Sequence, residues 1–313
     1  MDESPNLDVV VAADTDVGRV RTTNEDSVLA VVPSDAEIRR VRGALTVVAD
    51  GMGGHAAGEV ASSLAIDVVG RAYYEHEGSP REALLAAFED ANRAIFEAAK
   101  TAGQHGMGTT CCALVVCRGH AFCANVGDSR LYLVRGDHIY LMTTDDSAVQ
   151  DLVTKGVITL DEARHHADRN VILRALGTHE TVAVASWSQP FPVRVGDIFV
   201  LCSDGLYDLV EDDEIRRTVL SADGPSACRA LISEAKHRAG TDNISVAIVQ
   251  LKEADGAARP RNGEGASQGQ IVQADARGVD VVPVRVAEAA AGQETREAAA
   301  SRVPETRSFK VQP

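Results

Sequence analysis

Apolar positions along this chain change period several times, and each change marks an element. Residues 7–13 and 27–32 are short apolar runs of strand length, and 44–49 is a third, more strongly apolar one. Between the first and second lie the turn Asp14-Thr15-Asp16-Val17-Gly18-Arg19 and the segment Asn24-Glu25-Asp26; residues 33–40 read as a polar excursion. From Gly58 the period becomes helical, with Val60, Leu64 and Val68 in one stripe and Ala61, Ala65 and Val69 beside it. Gly78 breaks this helix. Ser79-Pro80-Arg81-Glu82 then forms a capping box with proline at the first helical position. The helix it opens carries Leu84, Leu85, Phe88, Ala91, Ile95 and Phe96 on one side and ends before Gly103.

Past Gly103 the strand period returns. Residues 109–117, 121–125, 130–134 and 139–143 are short runs separated by Arg118-Gly119, Val126-Gly127-Asp128 and Arg135-Gly136-Asp137, the pattern of an antiparallel meander. Residues 145–170 are polar and partly helical, with a second capping box at Thr159-Leu160-Asp161-Glu162; they read as an insertion over one sheet edge. Residues 171–177 and 181–188 look strand-like, and 193–202 looks like a hairpin around Gly196-Asp197. Two helical segments, 211–220 and 225–239, precede a last strand at 243–251. Many short strands with helices in two batches predict an α+β fold: two antiparallel sheets packed as a sandwich, with helices outside. The irregular alternation counts against a parallel doubly wound sheet. One domain is expected over 1–252, with a disordered tail over 253–313 that is poor in large apolar residues. Short Val/Ile runs within 268–287 offer that tail a way to pair or dock.

Charge narrows the picture. A formal net charge of -15 argues against nonspecific attraction to nucleic acid or anionic membrane. The acidic start, Met1-Asp2-Glu3-Ser4-Pro5, is unlike a secretory leader, and no run reaches transmembrane length. A cytoplasmic, reducing location is expected. Cys111, Cys112, Cys117 and Cys123 then read as buried thiols; a thiolate metal site is the alternative, but Cys111 and Cys112 would face opposite sides of a strand.

The chemistry sits at strand ends. The run 44–49 stops at Asp50, followed by Gly51, Met52, Gly53, Gly54 and His55. Asp128, Asp204 and Asp242 share that layout, each beside an apolar strand and near a glycine. Taken singly, each could be an ordinary turn residue, as Asp137 and Asp197 are expected to be. Gathered at one edge of a sandwich they would repel one another, and Mg²⁺ or Mn²⁺ would relieve that repulsion with the oxygen ligands these ions favour.

Read in order, the motifs are Arg21-Thr22-Thr23-Asn24-Glu25-Asp26, Val48-Ala49-Asp50-Gly51-Met52-Gly53-Gly54-His55, Gly106-Met107-Gly108-Thr109-Thr110, Asn125-Val126-Gly127-Asp128-Ser129-Arg130, Arg174-Ala175-Leu176-Gly177, Cys202-Ser203-Asp204-Gly205-Leu206-Tyr207-Asp208 and Gly240-Thr241-Asp242-Asn243-Ile244-Ser245. This series resembles the type 2C, metal-dependent serine/threonine protein phosphatases in their compact bacterial form, over about residues 7–251. The resemblance implies hydrolysis of phosphoserine and phosphothreonine in proteins by a water or hydroxide bridging two Mn²⁺ or Mg²⁺ ions. Asp50 would bridge the ions. Asp204 and Asp242 would hold the first, and Glu25 with the Gly51 carbonyl would serve the second. Asp26 and Asn243 would support these ligands from behind. Arg21 would hold the phosphoryl oxygens. Asp128 and Asp204, with Asp208 as a further candidate, resemble a weaker third metal position. Residues 145–170 match the family's mobile flap. The implied partners are phosphorylated proteins and a bacterial serine/threonine kinase, with the catalytic domain a monomer.

Two departures matter. Animal members carry a histidine after the Asp-Gly pair, as general acid, where this chain has Met52. His55 is a candidate by position alone; capping or packing the next helix is its plainer role, and a water on the third ion is another proton source. Asp145-Asp146-Ser147 has aspartate where many relatives have histidine before the serine. His165 and His166, being adjacent, read as flap or surface residues rather than ligands. Two other readings compete with a type 2C enzyme. Asp14-Thr15-Asp16 could be the nucleophile motif of a haloacid-dehalogenase-like phosphatase, with Asp14 attacking, although that class needs a parallel sheet. A catalytically silent phosphoprotein-binding protein is the other, against which the complete carboxylate set counts.

Overall fold

A computed structural model describes residues 7–53, 57–101, 106–254 and 282–283. The chain opens with strands β1 (Leu7–Asp16) and β2 (Asp26–Val31), then a short helix α1 (Ala36–Arg42) and strand β3 (Ala44–Met52). Helices α2 (Ala57–Glu75) and α3 (Pro80–Thr101) follow as a packed pair. Five strands come next: β4 (Gly108–Thr109), β5 (Cys111–Cys117), β6 (His120–Val126), β7 (Arg130–Arg135) and β8 (His138–Leu141). Helices α4 (Ala148–Thr154) and α5 (Leu160–Arg164) lie in the insertion. Strands β9 (Ala185–Ser186), β10 (Phe191–Pro192) and β11 (Ile198–Cys202) lead into helices α6 (Asp204–Tyr207), α7 (Asp212–Ser221) and α8 (Gly224–Arg238). Strand β12 (Ile244–Glu253) completes the sandwich, and a two-residue strand β13 (Val282–Pro283) pairs with β2.

One sheet has the order β1-β12-β11-β7-β8, the other β10-β6-β5-β3-β2-β13, and the pairings are antiparallel. Strand β5 shows why its sequence is apolar throughout. Cys111, Ala113, Val115 and Cys117 face the layer made with α2 and α3, while Cys112, Leu114 and Val116 face the other sheet. Both faces are covered, so alternation has no polar side to show. The inter-sheet layer includes Val28, Val48, Leu131, Phe199, Leu201 and Val249. The outer face of the first sheet packs on α7 and α8 through Ile215, Val219, Leu231 and Ile232. The result is helices, sheet, sheet, helices, as expected. The six cysteines are free, buried thiols.

Several expectations are corrected. Residues 33–40 are not an excursion: Asp35 caps α1 by accepting from the Glu37 and Ile38 amides, both at 2.9 Å. The stripe on α2 is rotated: Val60 is 43% exposed, while Ala61, Ala65, Val69 and Tyr73 are buried. Small residues win this face because the helix sits close to β2; a Cβ on Gly70 would lie 2.7 Å from Leu29 Cδ2. Residues 193–202 are no hairpin. Strand β10 pairs with β6 in one sheet and β11 with β7 and β12 in the other, so the turn at Gly196 carries the chain between sheets. Asp197 is more than a turn residue: it is buried and takes two 2.7 Å bonds from Arg135. Residues 171–177 make only isolated bridges, through Leu176 and Ile172, and 181–188 supplies only β9. Both capping boxes form as expected. Apart from β13, the tail beyond 254 lies outside the described residues, as do Gly54 and His55.

Candidate metal centre

Loops from both sheets meet at one end of the sandwich, and hydroxyl and amide side chains hold them together. Asp26 and Asp50 are direct partners across β2 and β3. At Asp50 the strand changes neighbour from β5 to β4, and Thr110 bridges the gap: its hydroxyl accepts from the Asp50 amide at 3.0 Å, and its amide donates to the Asp50 carbonyl at 2.8 Å. The Thr110 hydroxyl also meets that of Ser129 at 2.7 Å, beside Asp128.

Asp204 is the first residue of α6. Ser203, at the N-cap position, does not cap the helix. Its hydroxyl donates to Asp26 Oδ2 at 2.7 Å and accepts from the Ser245 amide at 3.0 Å, tying β11 and β12 to the second sheet. The Ser245 hydroxyl in turn meets that of Thr15 at 2.7 Å, and the Asn24 amide group donates to Thr15 at 2.9 Å. Asp242 stands just before β12. Its Oδ1 accepts from the Asn243 amide at 2.8 Å and its Oδ2 from Arg21 Nη2 at 2.7 Å. Buried Asn243 then fixes the opposite loop: its Oδ1 accepts from the Glu25 amide at 2.8 Å, and its Nδ2 donates to the Val17 and Thr23 carbonyls at 3.0 Å.

Gly51 is needed for close approach rather than for an unusual backbone angle. A Cβ there would fall on the Gly58 carbonyl and lie 2.6 Å from the Glu25 carbonyl. The Gly51 amide donates to that same Glu25 carbonyl at 3.1 Å. Gly58 completes the contact, since a Cβ on it would lie 2.8 Å from Glu25 Cδ. The first turn of α2 thus packs directly on Glu25.

The electrostatics are those of a buried carboxylate cluster whose members raise one another, with Arg21 as a counter-charge at its exposed edge. Burial, then the charges of Asp26, Asp204, Asp128 and Asp242, pushes the Asp50 carboxyl well above the usual carboxylate range. Burial, then Asp128, Asp242 and Asp208, does the same to Asp204. Asp26 is raised to about 6 by burial, against the pull of hydrogen bonds from Ser203 and Ser245. Asp128 is raised to about 7 by burial and by Asp145. Glu25 is raised by burial, with Arg21 opposing.

These residues fit divalent cations by two observations. Asp204 Oδ1 is buried without a hydrogen-bond partner, an orphaned anionic oxygen that would be costly unless something positive met it. The donor set is carboxylate and carbonyl oxygen, the preference of Mg²⁺ and Mn²⁺. Among the described residues no three acidic, histidine or cysteine side chains close into a ready-made cage. An open set of this kind suits ions that keep several of their own waters.

Arg21 reaches the same edge. Its side chain is 50% exposed and spends one nitrogen on Asp242, leaving guanidinium donors over. Asp208 lies at the exposed rim, paired at 3.7 Å with Arg169 of the insertion. Asp145 and Asp146 anchor that insertion. Asp145 takes three bonds from Arg130, whose guanidinium stacks on Tyr207 at 3.7 Å. Buried Asp146 pairs with Arg174 and accepts from the Gly127 amide at 3.2 Å. His165 is exposed, and His166 Nδ1 accepts from the Asp168 amide at 3.1 Å. The Asp14 alternative fails on topology. Asp14 and Asp16 lie on an antiparallel edge strand, and Asp16 is engaged by Lys236 and the Gly18 amide, both at 2.8 Å.

The motifs did not reveal Thr15, Ser203, Ser245, Thr110 or Ser129 as struts, nor Gly58 as the seat of Glu25. Ser203 and Ser129 stand next to Asp204 and Asp128, and Thr110 and Ser245 lie within the same motifs, which is the signal the sequence offers for them.

A carboxylate-rich centre at the end of an antiparallel sandwich, with an arginine at its rim, suits divalent cations and an anionic ligand, and the family match supplies the reaction class. The chain belongs to the protein phosphatase 2C family, whose pattern matches residues 19–224. It is 33% identical over 251 residues to the protein phosphatase PhpP of Streptococcus pneumoniae, covering 77% of this chain and 97% of that one. The serine/threonine phosphatase PstP/Ppp of Mycobacterium tuberculosis superposes with a TM-score of 0.69 at 37% identity, over 78% of this chain and 99% of that one. The PstP catalytic domain solved in complex with two manganese ions gives 0.67 at 36% identity, over 79% and 99%. Among the described residues, no helix is long and apolar enough to cross a membrane.

Proposed function

We propose that this chain, a metal-dependent protein phosphatase by family, removes phosphate from phosphoserine and phosphothreonine in proteins, using two Mn²⁺ or Mg²⁺ ions. The observation that carries the reading is the orphaned Asp204 oxygen within a buried, mutually repelling carboxylate cluster. Asp50, Asp204 and Asp242 would hold one ion, and Glu25, Asp50 and the Gly51 carbonyl the other. When bound, two such ions lower the pKa of a shared water and offset charge on the phosphoryl oxygens.

The protein's own groups do the rest. Asn243 fixes the Glu25 backbone, and Ser203 and Ser245 hold Asp26 behind Asp50. Arg21 presents spare forked donors, which suit a phosphoryl group. Met52 has no proton to give, so the leaving oxygen takes its proton from another source. His55 and a third ion near Asp128, Asp204 and Asp208 belong to the same proposal. So do a cytoplasmic monomer and a bacterial serine/threonine kinase whose products are the substrates.

The test is turnover of phosphothreonine, phosphoserine and phosphotyrosine peptides with and without Mn²⁺. Asp204→Asn is expected to abolish it. Full activity in EDTA, or unchanged turnover in the variant, overturns the proposal.

A further inference from the structure

Beside the carboxylate centre lies a groove the reaction does not use. It has a volume of about 530 Å³ and runs between the end of β1 with its following turn and the C-terminal half of α8. Its charged lining is Arg19, Arg229, Lys236 and His237 with Asp14 and Asp16. Lys236 and Asp16 neutralise each other in a 2.8 Å pair. Among the described residues, the Arg229 guanidinium donates to the Ser226 hydroxyl at 3.1 Å and the Arg19 guanidinium to the Lys236 carbonyl at 3.4 Å, which leaves other donors of each unused. Within the lining, two guanidiniums thus stand against Asp14, with Asp223 also near Arg229. On a chain of net charge -15, a groove with this local balance stands apart.

Its position links it to the centre. The loop carrying Arg19 also carries Arg21 two residues later, and it runs along the loop carrying Gly240 and Asp242. The Arg19 amide donates to the Gly240 carbonyl at 2.7 Å, and Arg21 pairs with Asp242 at 2.7 Å. A Cβ on Gly240 would lie 3.1 Å from Arg19 Cγ, so the Arg19 stem lies over that glycine on its way to the groove. The groove therefore begins at Arg19, two residues before Arg21 across the turn that follows β1.

We infer that this groove is a second contact for the protein substrate, taking an acidic side chain that flanks the phosphorylated one. This rests on the phosphatase reading above. Arginine donors suit a carboxylate, and an acidic flank would be drawn to this basic spot while the surrounding acidic surface disfavours other registers.

Phosphothreonine peptides with flanking glutamates, on the N-terminal side in one series and the C-terminal side in another, are compared with glutamine versions. The full chain is assayed with Mn²⁺. One glutamate series is expected to have a KM about three- to tenfold below its glutamine control with kcat unchanged, and the gap should shrink as salt rises. Arg229→Glu should erase the gap, and Arg229→Lys should restore part of it. Both should leave turnover of p-nitrophenyl phosphate and the thermal midpoint as in the parent. Equal KM values in the parent, or a gap that survives Arg229→Glu, overturn the inference. Absence of turnover on p-nitrophenyl phosphate would instead count against the phosphatase reading. In that case fluorescence anisotropy with the same peptides still decides the groove: tighter glutamate binding lost in Arg229→Glu supports it, and equal binding overturns it.

Discussion

The Ser203 hydroxyl donates to Asp26 Oδ2 across 2.7 Å, and this bond joins the two sheets at the carboxylate centre. Ser203 follows β11 of one sheet, and Asp26 begins β2 of the other. A serine that would ordinarily cap the helix after it is used instead to hold a buried acid. Ser203→Ala leaves Asp26 and the Ser245 amide each short of a partner. Destabilisation of about 1–3 kcal/mol is expected in urea unfolding. Metal affinity by calorimetry should fall as well, because Asp26 backs Asp50.

Gly51→Ala tests close approach. The added Cβ meets backbone oxygens of Gly58 and Glu25, neither of which can swing aside as a side chain would. The start of α2 must move off Glu25. A loss of about 100-fold in kcat/KM is expected, in line with an ångström-scale misplacement of a reacting group. Gly136→Ala is a fair contrast. Nothing lies within 4 Å of a Cβ at Gly136, and only its φ of +57° resists, so activity should persist with a small loss of stability.

Arg21 pairs with Asp242 on the exposed edge of the centre. Arg21→Ala should lower kcat/KM by about 10- to 100-fold, the scale of a charge-assisted hydrogen bond lost at the transition state. Stability should change little, because exposed ion pairs contribute weakly. Arg21→Lys should recover only part of the activity, since an ammonium lacks the guanidinium fork.

Stability against pH should depend on metal. Asp26 and Asp128 titrate near 6 and 7 in the fold, against about 4 in the unfolded chain, and Asp50 and Asp204 are also raised. A carboxyl raised in this way binds its proton more tightly when folded. Its contribution is fully present below about pH 4 and is lost as pH rises through the folded values. In EDTA the thermal midpoint should therefore be higher near pH 5.5 than near pH 8. Added Mn²⁺ should raise the midpoint more at pH 8, where protons no longer compete for the carboxylates. Equal shifts at both pH values would contradict a cation site built from these acids.

Much of the centre was legible before any coordinates. Strand and helix periods, both capping boxes and the order of seven short motifs pointed to the sandwich and to Glu25, Asp50, Asp204 and Asp242. Such features are local: a capping box needs four residues, and an apolar run such as 111–117 reports burial on both faces without naming its neighbours. Three kinds of fact were not legible. The chain's passage between sheets at Gly196 depends on which strands β10 and β11 find, and neither segment encodes its partner. The buried face of α2 was set by how closely the helix meets β2, so alanines displaced Val60. The hydrogen-bonded chain Thr15–Ser245–Ser203–Asp26 joins residues far apart in sequence, and serine and threonine are common enough to carry no signal alone. The carboxylates, and the apolar strand beside each of them, are written in the order of residues. That they share one space is a property of the packed sandwich, because their mutual repulsion and the struts that resist it exist only once the two sheets have closed on each other.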